Sequence, residues 1–486
     1  MDHQLVDKRE EIMKLVSRQT IRDVKDLELK IRDVKDLESY KLSECHPCSA
    51  GIDLGSRTMY VAINPAIAAE LDISAVYCFS TVTNGLIACK DLLVHCGIKT
   101  VAMESTSVYW TTIYFILEDA GIEVCLVNPR KFRMVPGRKT DVADSQWLQT
   151  LHLYGLLRGS FHPPHQTAML RSYMRERDNI IKERSTFVQR MQKAMVKMNL
   201  LLHNVIDDIT GKTGIKIITA ILEGETDPKK LASFRDPNCK KSEEEIAEAL
   251  TGYYKEDQLY LLKINYQSYC FFDKQLNGLD QQITKLLKRF PVKKEKKEKR
   301  PDNGKSKSRG KNDIRTTENL EDVLYHIVGA DLSALPGIRS NAILQIISEV
   351  GTDMSKFPDA HHFASYLGFV PRNKITGGHV ISSKTDRIKS SAAQAFRKLI
   401  PSISQTKTAL GAFYRRLAAR IGKAQAIIAT CRKLAILFYN TIAYGKAYVE
   451  QGELMYKQKQ EDWERQKLEK LAKKYNVTIV NNNVKQ

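Results

Sequence analysis

Four acidic side chains are the residues of this sequence best suited to chemistry. Asp53 occurs in GIDLGSRTMYVAI, Glu104 in VAMEST, and Asp141 and Asp144 in GRKTDVADSQWL. Carboxylates that lie close together repel each other unless a cation neutralises them. Oxygen ligands suit Mg²⁺ or Mn²⁺, and two such ions can stabilise the attacking and leaving oxygens of a phosphodiester. If they converge, the four acids predict a metal-dependent site for phosphoryl transfer.

The local sequence predicts how each acid is positioned. Asp53 lies on or beside a strand, because it follows an apolar segment and precedes the apolar run 60–63. Glu104 ends another short apolar run. Asp141 and Asp144 are three residues apart in a helical stretch, so they share one helix face. The alternative is structural, because an Asp beside a strand is often a turn residue and an i,i+3 Asp pair is often a solvated face.

The acids fall in residues 49–160, where strand-like and helix-like patterns alternate and predict an α/β sheet. We expect strands at Ala50–Asp53, Met59–Asn64, Ala75–Phe79, Thr100–Glu104 and Glu123–Val127. We expect helices at Asn84–Cys96, Tyr109–Ala120 and Thr140–Leu157. The first two strands should form a hairpin.

Composition divides the rest of the chain. Residues 1–48 form a charged, helix-prone extension in which IRDVKDLE occurs twice. Residues 165–290 have the pattern of long helices with an insert. Residues 291–318 are predicted to be a basic, solvated linker, because they are charged and contain almost nothing apolar. Residues 319–445 form a further compact, mostly α domain with a helix–hairpin–helix-like start, and residues 446–486 form a charged tail.

An amphipathic stripe runs along the helical segment, with apolar residues at three- and four-residue spacing and basic residues on the other faces. Its members are Leu170, Tyr173, Ile180, Phe187, Met191, Met195 and Met198. The stripe is either a coiled coil between protomers or the seam of an internal bundle. We expect it to mediate dimerisation.

The formal net charge of +20 favours a polyanionic partner, and nucleic acid is the default. The sequence has no uninterrupted apolar run of about 18 residues, and its charged start lacks an apolar signal region. The nine cysteines have no framework spacing, which indicates reduced thiols. We therefore expect a cytoplasmic protein that binds nucleic acid and no membrane.

Several motifs in combination resemble one family. The four acids resemble the Asp-Glu-Asp-Asp (DEDD) set of RuvC-like, or ribonuclease H-like, nuclease domains. The later motifs are LPGI at 335–338, LGFVPRNKITGG at 367–378, ISSKT at 381–385 and GAFYRRLAARIGKA at 411–424. With these motifs, residues 49 to 445 resemble the IS110 family of insertion-sequence transposases. The family pairs a RuvC-like domain with a C-terminal transposase domain.

This resemblance implies RNA-guided recombination of DNA in a bacterial cytoplasm. The implied partners are double-stranded donor and target DNA and a non-coding guide (bridge) RNA that supplies the sequence specificity. A dimer or tetramer is implied, because the composite site of the family needs at least two protomers. The four acids would bind Mg²⁺ or Mn²⁺.

The resemblance also implies a hydroxyl nucleophile. In the family a serine stands just before the glycine of the turn that follows Pro-Arg, and Thr376 occupies that position here. The threonine methyl group crowds an in-line attack, and its hydroxyl needs a metal or a base to activate it. Ser382 and Ser383 are the rival nucleophiles, or they hydrogen-bond the phosphate.

Further residues are candidates for contacts with nucleic acid. The basic residues before Asp141, including Lys131, would contact phosphate beside the metals or belong to a solvated loop. The turn at Gly337 would present N–H groups to a phosphate or be an ordinary helix connection. The predicted contacts are Arg133, Arg138, Lys139, Gly337, Arg372, Lys374, Gly377, Ser382, Ser383 and Lys384.

Three functions remain open from the sequence. The first is strand transfer through a covalent protein–DNA intermediate, with metals stabilising charge on the phosphoryl oxygens. The second is a RuvC-like nuclease that uses activated water and leaves free ends. The third is a non-catalytic nucleic-acid-binding regulator, which would bind without metal and break no strand.

Overall fold

The computed structural model describes residues 22–23, 43–105, 108–127, 140–157, 159, 163–294, 298–301, 310–371, 373–376, 379–385, 390–445 and 449–477. Most of the N-terminal repeat lies outside these residues, as do Lys131, Arg133, Arg138, Lys139, Arg372 and Gly377. The chain forms two units, residues 1–162 and residues 163–486.

A mixed six-stranded sheet is the centre of the first unit. Its strands are β1 (Arg22–Asp23), β2 (Ser49–Leu54), β3 (Thr58–Ile63), β4 (Val76–Ser80), β5 (Thr100–Glu104) and β6 (Glu123–Val127). The strand order is β1-β4-β3-β2-β5-β6. Strands β2, β3 and β4 pair antiparallel, whereas β5 and β6 continue the sheet in parallel with β2.

In the described part of this unit, four helices accompany the sheet. They are α1 (Pro65–Glu70), α2 (Thr83–His95), α3 (Trp110–Asp119) and α4 (Asp141–Leu153). The side chains of α2 and α3 join the strands in one hydrophobic core, in which Ile52, Val61 and Leu92 are fully buried. On the opposite face α4 packs through Leu148 against Ala102. Two covered faces explain why the central strands are almost continuously apolar.

The five predicted strands, the hairpin of β2 and β3, and the helices α2, α3 and α4 are confirmed, with ends that differ by at most four residues. Helix α1 was not predicted. It has only six residues, too few for a helical period, and its start depends on Asn64, whose side chain accepts a hydrogen bond from the N–H of Ala66 at 3.0 Å. Pro65 stands at the first helical position, where its missing N–H costs nothing.

The second unit is mainly helical. Its helices are α5 (His165–Lys197), α6 (Leu202–Val205), α7 (Lys212–Leu222), α8 (Pro228–Ala232), α9 (Glu243–Ala249), α10 (Glu256–Leu287), α11 (Leu320–Val328), α12 (Ser340–Val350), α13 (Ala360–Tyr366), α14 (Ser391–Ser404), α15 (Ala409–Ile421), α16 (Lys423–Tyr444) and α17 (Gly452–Tyr475). A 3₁₀ turn covers Leu332–Ala334, and the strands β7 (Lys374–Thr376) and β8 (His379–Ser382) form a hairpin.

The predicted apolar stripe is the seam of an internal bundle. Helices α5 and α10 run side by side, and Phe187 stacks on Phe272 with ring centroids 5.5 Å apart. Leu170, Met191 and Met195 are fully buried against residues of the same chain. The expectation that this stripe mediates dimerisation is therefore wrong for its buried members, because α10 and neighbouring helices of the same chain already cover them.

Buried ion pairs cross this seam. Arg177 donates from Nε to Oδ1 of Asp280 at 2.6 Å, and both side chains are at most 2% exposed. About two helical turns further along α5, Arg184 donates to Asp273 at 2.5 Å. The later residue on α5 pairs with the earlier residue on α10, which shows that the two helices are antiparallel. Burying charge is costly unless it is paired and hydrogen-bonded, so these pairs define which residues face each other.

The described parts of the predicted basic linker are not all solvated. Ile314 is 2% exposed and joins the core around α11 and α12. The backbone N–H of Arg315 donates to Asp280 at 3.0 Å, and its guanidinium donates two hydrogen bonds to Asp273. Arg315 beside Asp273 lowers the pKa of that carboxyl below its ordinary value. Residues 310–315 therefore lie on the seam of α5 and α10 and close it.

Helix α16 is the centre of the last helical group. It is the one helix among the described residues that is long and apolar enough to cross a membrane by length and composition. Cys431, Leu434 and Phe438 of this helix are fully buried in the hydrophobic core with α12, α13 and α14. The core position of α16 explains its apolar composition.

Candidate active site

Asp53 and Glu104 lie at the same end of two neighbouring parallel strands. Ile52 of β2 is in register with Met103 of β5, so Asp53 and Glu104 are the next residues along each strand. Strands in a sheet lie about 4.8 Å apart, and side chains alternate between its two faces. Asp53 shares the face of Gly51, and Glu104 shares the face of Ala102. Both acids therefore point to the face that α4 covers.

Helix α4 carries the other two acids in its first turn. Thr140 precedes the helix and its hydroxyl accepts a hydrogen bond from the N–H of Ala143 at 3.2 Å. Asp141 is exposed and Asp144 is half-buried. Carboxylates in the first turn also stabilise a helix through its dipole, so these two acids have a structural role besides any catalytic one.

A glycine lets α4 lie directly on the sheet. A Cβ atom at Gly51 would stand 2.4 Å from both the backbone nitrogen of Gln149 and the carbonyl oxygen of Ser145, which is far too close for any side chain. At the start of the helix, Val142 packs with Ala62 and Tyr60, and Tyr60 is the registered partner of Asp53. The first turn of α4 therefore lies over the end of β2 that carries Asp53.

Two polar contacts fix the other end of α4. Gln149 donates to the hydroxyl of Ser49 at 3.4 Å. His152 shares a hydrogen bond with Thr100 at 2.9 Å, and the ring of His46 stacks on it at 4.6 Å. Burial, with a smaller contribution from His46, lowers the pKa of His152 to about 4. His152 is therefore neutral at neutral pH, which suits a ring enclosed between a helix and a sheet.

Asp53 and Glu104 thus share one edge and one face of the sheet, and the helical turn that carries Asp141 and Asp144 lies over the end of β2 beside them. Among the described residues, no three His, Cys, Asp or Glu side chains lie close enough to hold a metal ion. Glu104 is 8% exposed. The donor chemistry, four carboxylates at one edge, fits a divalent cation that prefers oxygen ligands. Their convergence on a cation stays a prediction.

In the second unit, Thr376 lies at the end of strand β7. It is exposed and pairs with His379 of β8, three residues further along the chain. Side chains of directly opposed residues lie on one face with Cβ atoms roughly 5 Å apart. An imidazole beside a hydroxyl is a pairing that can activate the hydroxyl by taking its proton.

The sequence reasoning missed His379. Its signal was present in TGGH, because two residues between paired strands place the flanking residues opposite each other. The two short strands were not predicted as a hairpin, so no register existed from which to find the pair.

The rival hydroxyls lie at the other end of this hairpin. Ser382 pairs with Lys374, two strand positions and roughly 7 Å from Thr376. Ser382 is half-buried and its hydroxyl accepts a weak hydrogen bond from the N–H of Lys384 at 3.4 Å. Ser383 and Lys384 are exposed. The hairpin thus separates Thr376 from Ser382, so a phosphate bound at one position could be attacked by only one of the two hydroxyls.

Gly337 has a structural reason to be glycine. Its φ is +71°, and a Cβ atom there would meet Cγ1 of Ile403 at 2.6 Å. The flanking residues Leu335 and Ile338 are buried in the core. Packing against α14 explains the glycine without a ligand, and its predicted contact with phosphate stays a prediction.

Comparison with known protein families found a matching family model in each part of the chain. A DEDD transposase model of the IS110 type matches residues 50–199, and a model described as transposase, IS116/IS110/IS902 family, matches residues 329–413. A search of curated proteins found no match. A mixed sheet with acids at one edge, followed by a helical unit, is thus the framework of a transposase, an enzyme that cuts and rejoins DNA. The chain belongs to the IS110 family of transposases.

Proposed function

We propose that this transposase is an RNA-guided DNA recombinase that transfers strands through a hydroxyl nucleophile and a divalent metal. The observation that carries the proposal is the common edge of Asp53, Glu104 and the first turn of α4. Three separate elements, β2, β5 and α4, present carboxylates there. On a surface that only binds nucleic acid these carboxylates would weaken the affinity, because they repel phosphates.

The sheet supports the RuvC-like part of the proposal. Three antiparallel strands followed by two parallel strands, in the order β4-β3-β2-β5-β6, with acids on the central strand and its parallel neighbour, are the arrangement expected of a ribonuclease H-like domain. Ligand sites in such sheets lie outside the carboxyl ends of the parallel strands. Asp53 and Glu104 occupy those ends.

Asp53, Glu104, Asp141 and Asp144 would hold Mg²⁺ or Mn²⁺. When bound, such a cation neutralises charge on the phosphoryl oxygens. The chain contributes the fixed placement of the oxygen donors: β2 and β5 set the first two, and the contact at Gly51 sets α4 against them. Arg133, Arg138 and Lys139 would contact the phosphate backbone next to these acids.

We assign the nucleophile to Thr376 and the base to His379. The imidazole takes the hydroxyl proton, and the threonine oxygen attacks phosphorus. The bond from phosphorus to the leaving sugar oxygen breaks, and that oxygen gains a proton. A sugar hydroxyl of the second strand then attacks the phosphothreonine ester and releases the threonine, so the strands rejoin without an external energy source. Arg372, Lys374, Gly377 and Lys384 would contact the backbone near this hairpin.

The proposed partners are double-stranded donor and target DNA, a guide RNA, and further copies of this chain, as a dimer or a tetramer, in a bacterial cytoplasm. The charge of +20 supports the nucleic acids. Binding to them should weaken steeply with salt, because each neutralised phosphate releases counterions. Protein freed of RNA by nuclease should lose sequence-specific recombination, and full retention would disprove RNA guidance.

The covalent intermediate provides the test. With metal, guide RNA and DNA present, denatured protein should retain DNA, and peptide mass spectrometry should place the phosphoester on Thr376. Thr376→Ala and Thr376→Val should abolish the adduct, since both lack the hydroxyl and the second keeps the shape. Thr376→Ser should keep it and speed it, because the crowding methyl group is gone. Asp53→Asn should abolish cleavage with the fold intact.

Ser382→Ala and Ser383→Ala are the matched controls, because they remove hydroxyls from the far end of the same hairpin and should at most slow turnover. An adduct on Ser382 or Ser383 with Thr376→Ala still active would disprove the assignment. Cleavage with free ends and no adduct would instead show a nuclease that uses water. Binding with no breakage at all would show a regulator.

A further inference from the structure

A cleft of about 900 Å³ opens in the second unit between α15, α16 and α17. It lies outside the two segments that match the family, except at its edge, and none of the predicted site residues lines it. Its size is in the range of pockets that hold one small ligand or a short piece of a larger one.

The lining is cationic. Arg416, Arg420, Lys433 and Lys459 contribute to it, and none of the lining residues is acidic. Among the described residues, no carboxylate oxygen lies within 4.0 Å of the charged nitrogens of Arg416, Arg420 or Lys433. The adjacent Arg415, in contrast, pairs with Glu453 at 2.8 Å. Uncompensated cations around a concave surface attract anions.

The same cleft contains aromatic side chains. The Tyr456 ring has the guanidinium of Arg416 and the ammonium of Lys433 each 5.7 Å from its centroid. The hydroxyl of Tyr456 is buried and has no hydrogen-bond partner among the described residues. Trp463 remains 57% exposed although it belongs to a concave surface. A ligand in the cleft can therefore reach the exposed ring of Trp463.

The cleft is a built feature, because the first turn of α17 is held in place. Glu453 pairs with Arg415 of α15, and its backbone N–H donates to the carbonyl of Lys407 at 3.2 Å. Glu450 accepts hydrogen bonds from the N–H groups of Ala409 and Gly452, both at 2.8 Å. These contacts place Tyr456 and Trp463 opposite the cations of α15 and α16.

We propose that this cleft binds unpaired nucleotides, with a phosphate between Arg416 and Lys433 and a base stacked on Trp463. The inference rests on the proposed function only in that the chain acts on nucleic acids. Cations that meet the backbone beside aromatic faces are the pattern of single-strand binding. In a duplex the bases are stacked on each other, so their faces cannot reach an aromatic ring inside a cleft. Unpaired RNA and unpaired DNA share this chemistry.

The test uses the full-length chain after removal of host RNA. Fluorescence anisotropy would measure binding of fluorescein-labelled ten-nucleotide single-stranded RNA, single-stranded DNA of the same sequence, and duplex DNA. Trp463→Ala should weaken single-strand binding by about 5- to 150-fold, the range for loss of one stacked base. The double variant Arg416→Gln, Lys433→Gln should reduce the slope of log affinity against log salt by about 0.7, the value for the loss of one phosphate contact on a single strand.

Lys470→Gln with Lys473→Gln is the matched control, because it removes the same charge from α17 beyond the cleft lining and should leave the slope unchanged. A parallel loss in the control would overturn the proposal, since it would show general attraction to a basic chain. Unchanged binding in Trp463→Ala, or a loss confined to duplex DNA, would also overturn it. Irradiated RNA that carries 4-thiouridine should cross-link at Tyr456 or Trp463.

The RNA and DNA arms identify the source of the nucleotides. A loss confined to RNA would assign the cleft to a guide RNA, and a loss that includes DNA would assign it to a displaced strand. Asp53→Asn should lose strand cleavage and keep this binding. The cleft hypothesis is therefore tested by single-strand binding and the strand-transfer hypothesis by cleavage, so the failure of one can be told from the failure of the other.

Discussion

Removal of the buried carboxylate at Asp280 should cost much of the stability of the second unit. Asp280 is fully buried and is the counterion of Arg177, which is 1% exposed. Its second oxygen accepts the backbone N–H of Arg315. Asp280→Ala would leave a buried guanidinium without a counterion, at a cost of about 3–5 kcal/mol. The orphaned N–H adds about 1–3 kcal/mol where water cannot reach it.

The comparison with an exposed pair makes this measurable by urea denaturation of the full chain. Lys240 and Asp207 form an ion pair at 3.7 Å, and their side chains are 85% and 91% exposed. Asp207→Ala should change the free energy of unfolding by less than about 0.5 kcal/mol, because solvent screens such pairs. The double variant Arg177→Met, Asp280→Leu should recover most of the loss, because two apolar side chains leave no buried charge.

A loss of less than about 1 kcal/mol in Asp280→Ala would refute this reasoning, since it would mean that water or another anion already solvates Arg177. A double variant as unstable as the single one would also refute it. In that case the carboxylate would act through the position of residues 310–315 and not through charge.

Two further predictions concern the sheet unit, and a glycine of α10 in the second unit provides the control for the second prediction. The folded pKa of His152, about 4, lies below the unfolded value of about 6.5, so the unfolded state binds the extra proton. The contribution of His152 to stability is therefore complete above pH ~6.5, and stability falls by up to about 3 kcal/mol as the pH falls through 4. Urea titrations at several pH values should show this pH dependence in the wild type and not in His152→Gln. Gly51→Ala should displace α4, lose about 1–3 kcal/mol and abolish strand cleavage, because the new methyl group meets backbone atoms. Gly278→Ala, in the open middle of α10, should instead gain about 0.5–1 kcal/mol in the same urea assay and leave cleavage unchanged.

The sequence allowed the strand–helix framework of the first unit to be predicted, because each element there repeats a clear local pattern. It also indicated that Asp53 lies on or beside a strand and that Glu104 ends an apolar run. The contact that sets α4 beside them was not readable. Gly51 resembles any glycine within a strand, and only the path of the helix shows that no side chain fits there.

The second unit was harder to predict, because its patterns are compatible with more than one partner. The spacing of Leu170, Met191 and Met195 fits a second protomer as well as it fits α10. Composition likewise marked residues 310–315 as part of a solvated linker. One apolar residue, Ile314, and one cation, Arg315, are enough to anchor that segment, and the carboxylates that bind Arg315 are more than thirty residues away in sequence.

The contact at Gly51 joins helix to strand through backbone atoms alone. Backbone bond lengths are nearly the same in every protein, so this contact sets a fixed distance between β2 and α4. Substitutions at core positions such as Ile52 or Leu148 can soften the unit while the spacing between β2 and the acids of α4 persists. The sequence can therefore change at such core positions and keep the spacing of its carboxylates, provided that residue 51 remains glycine.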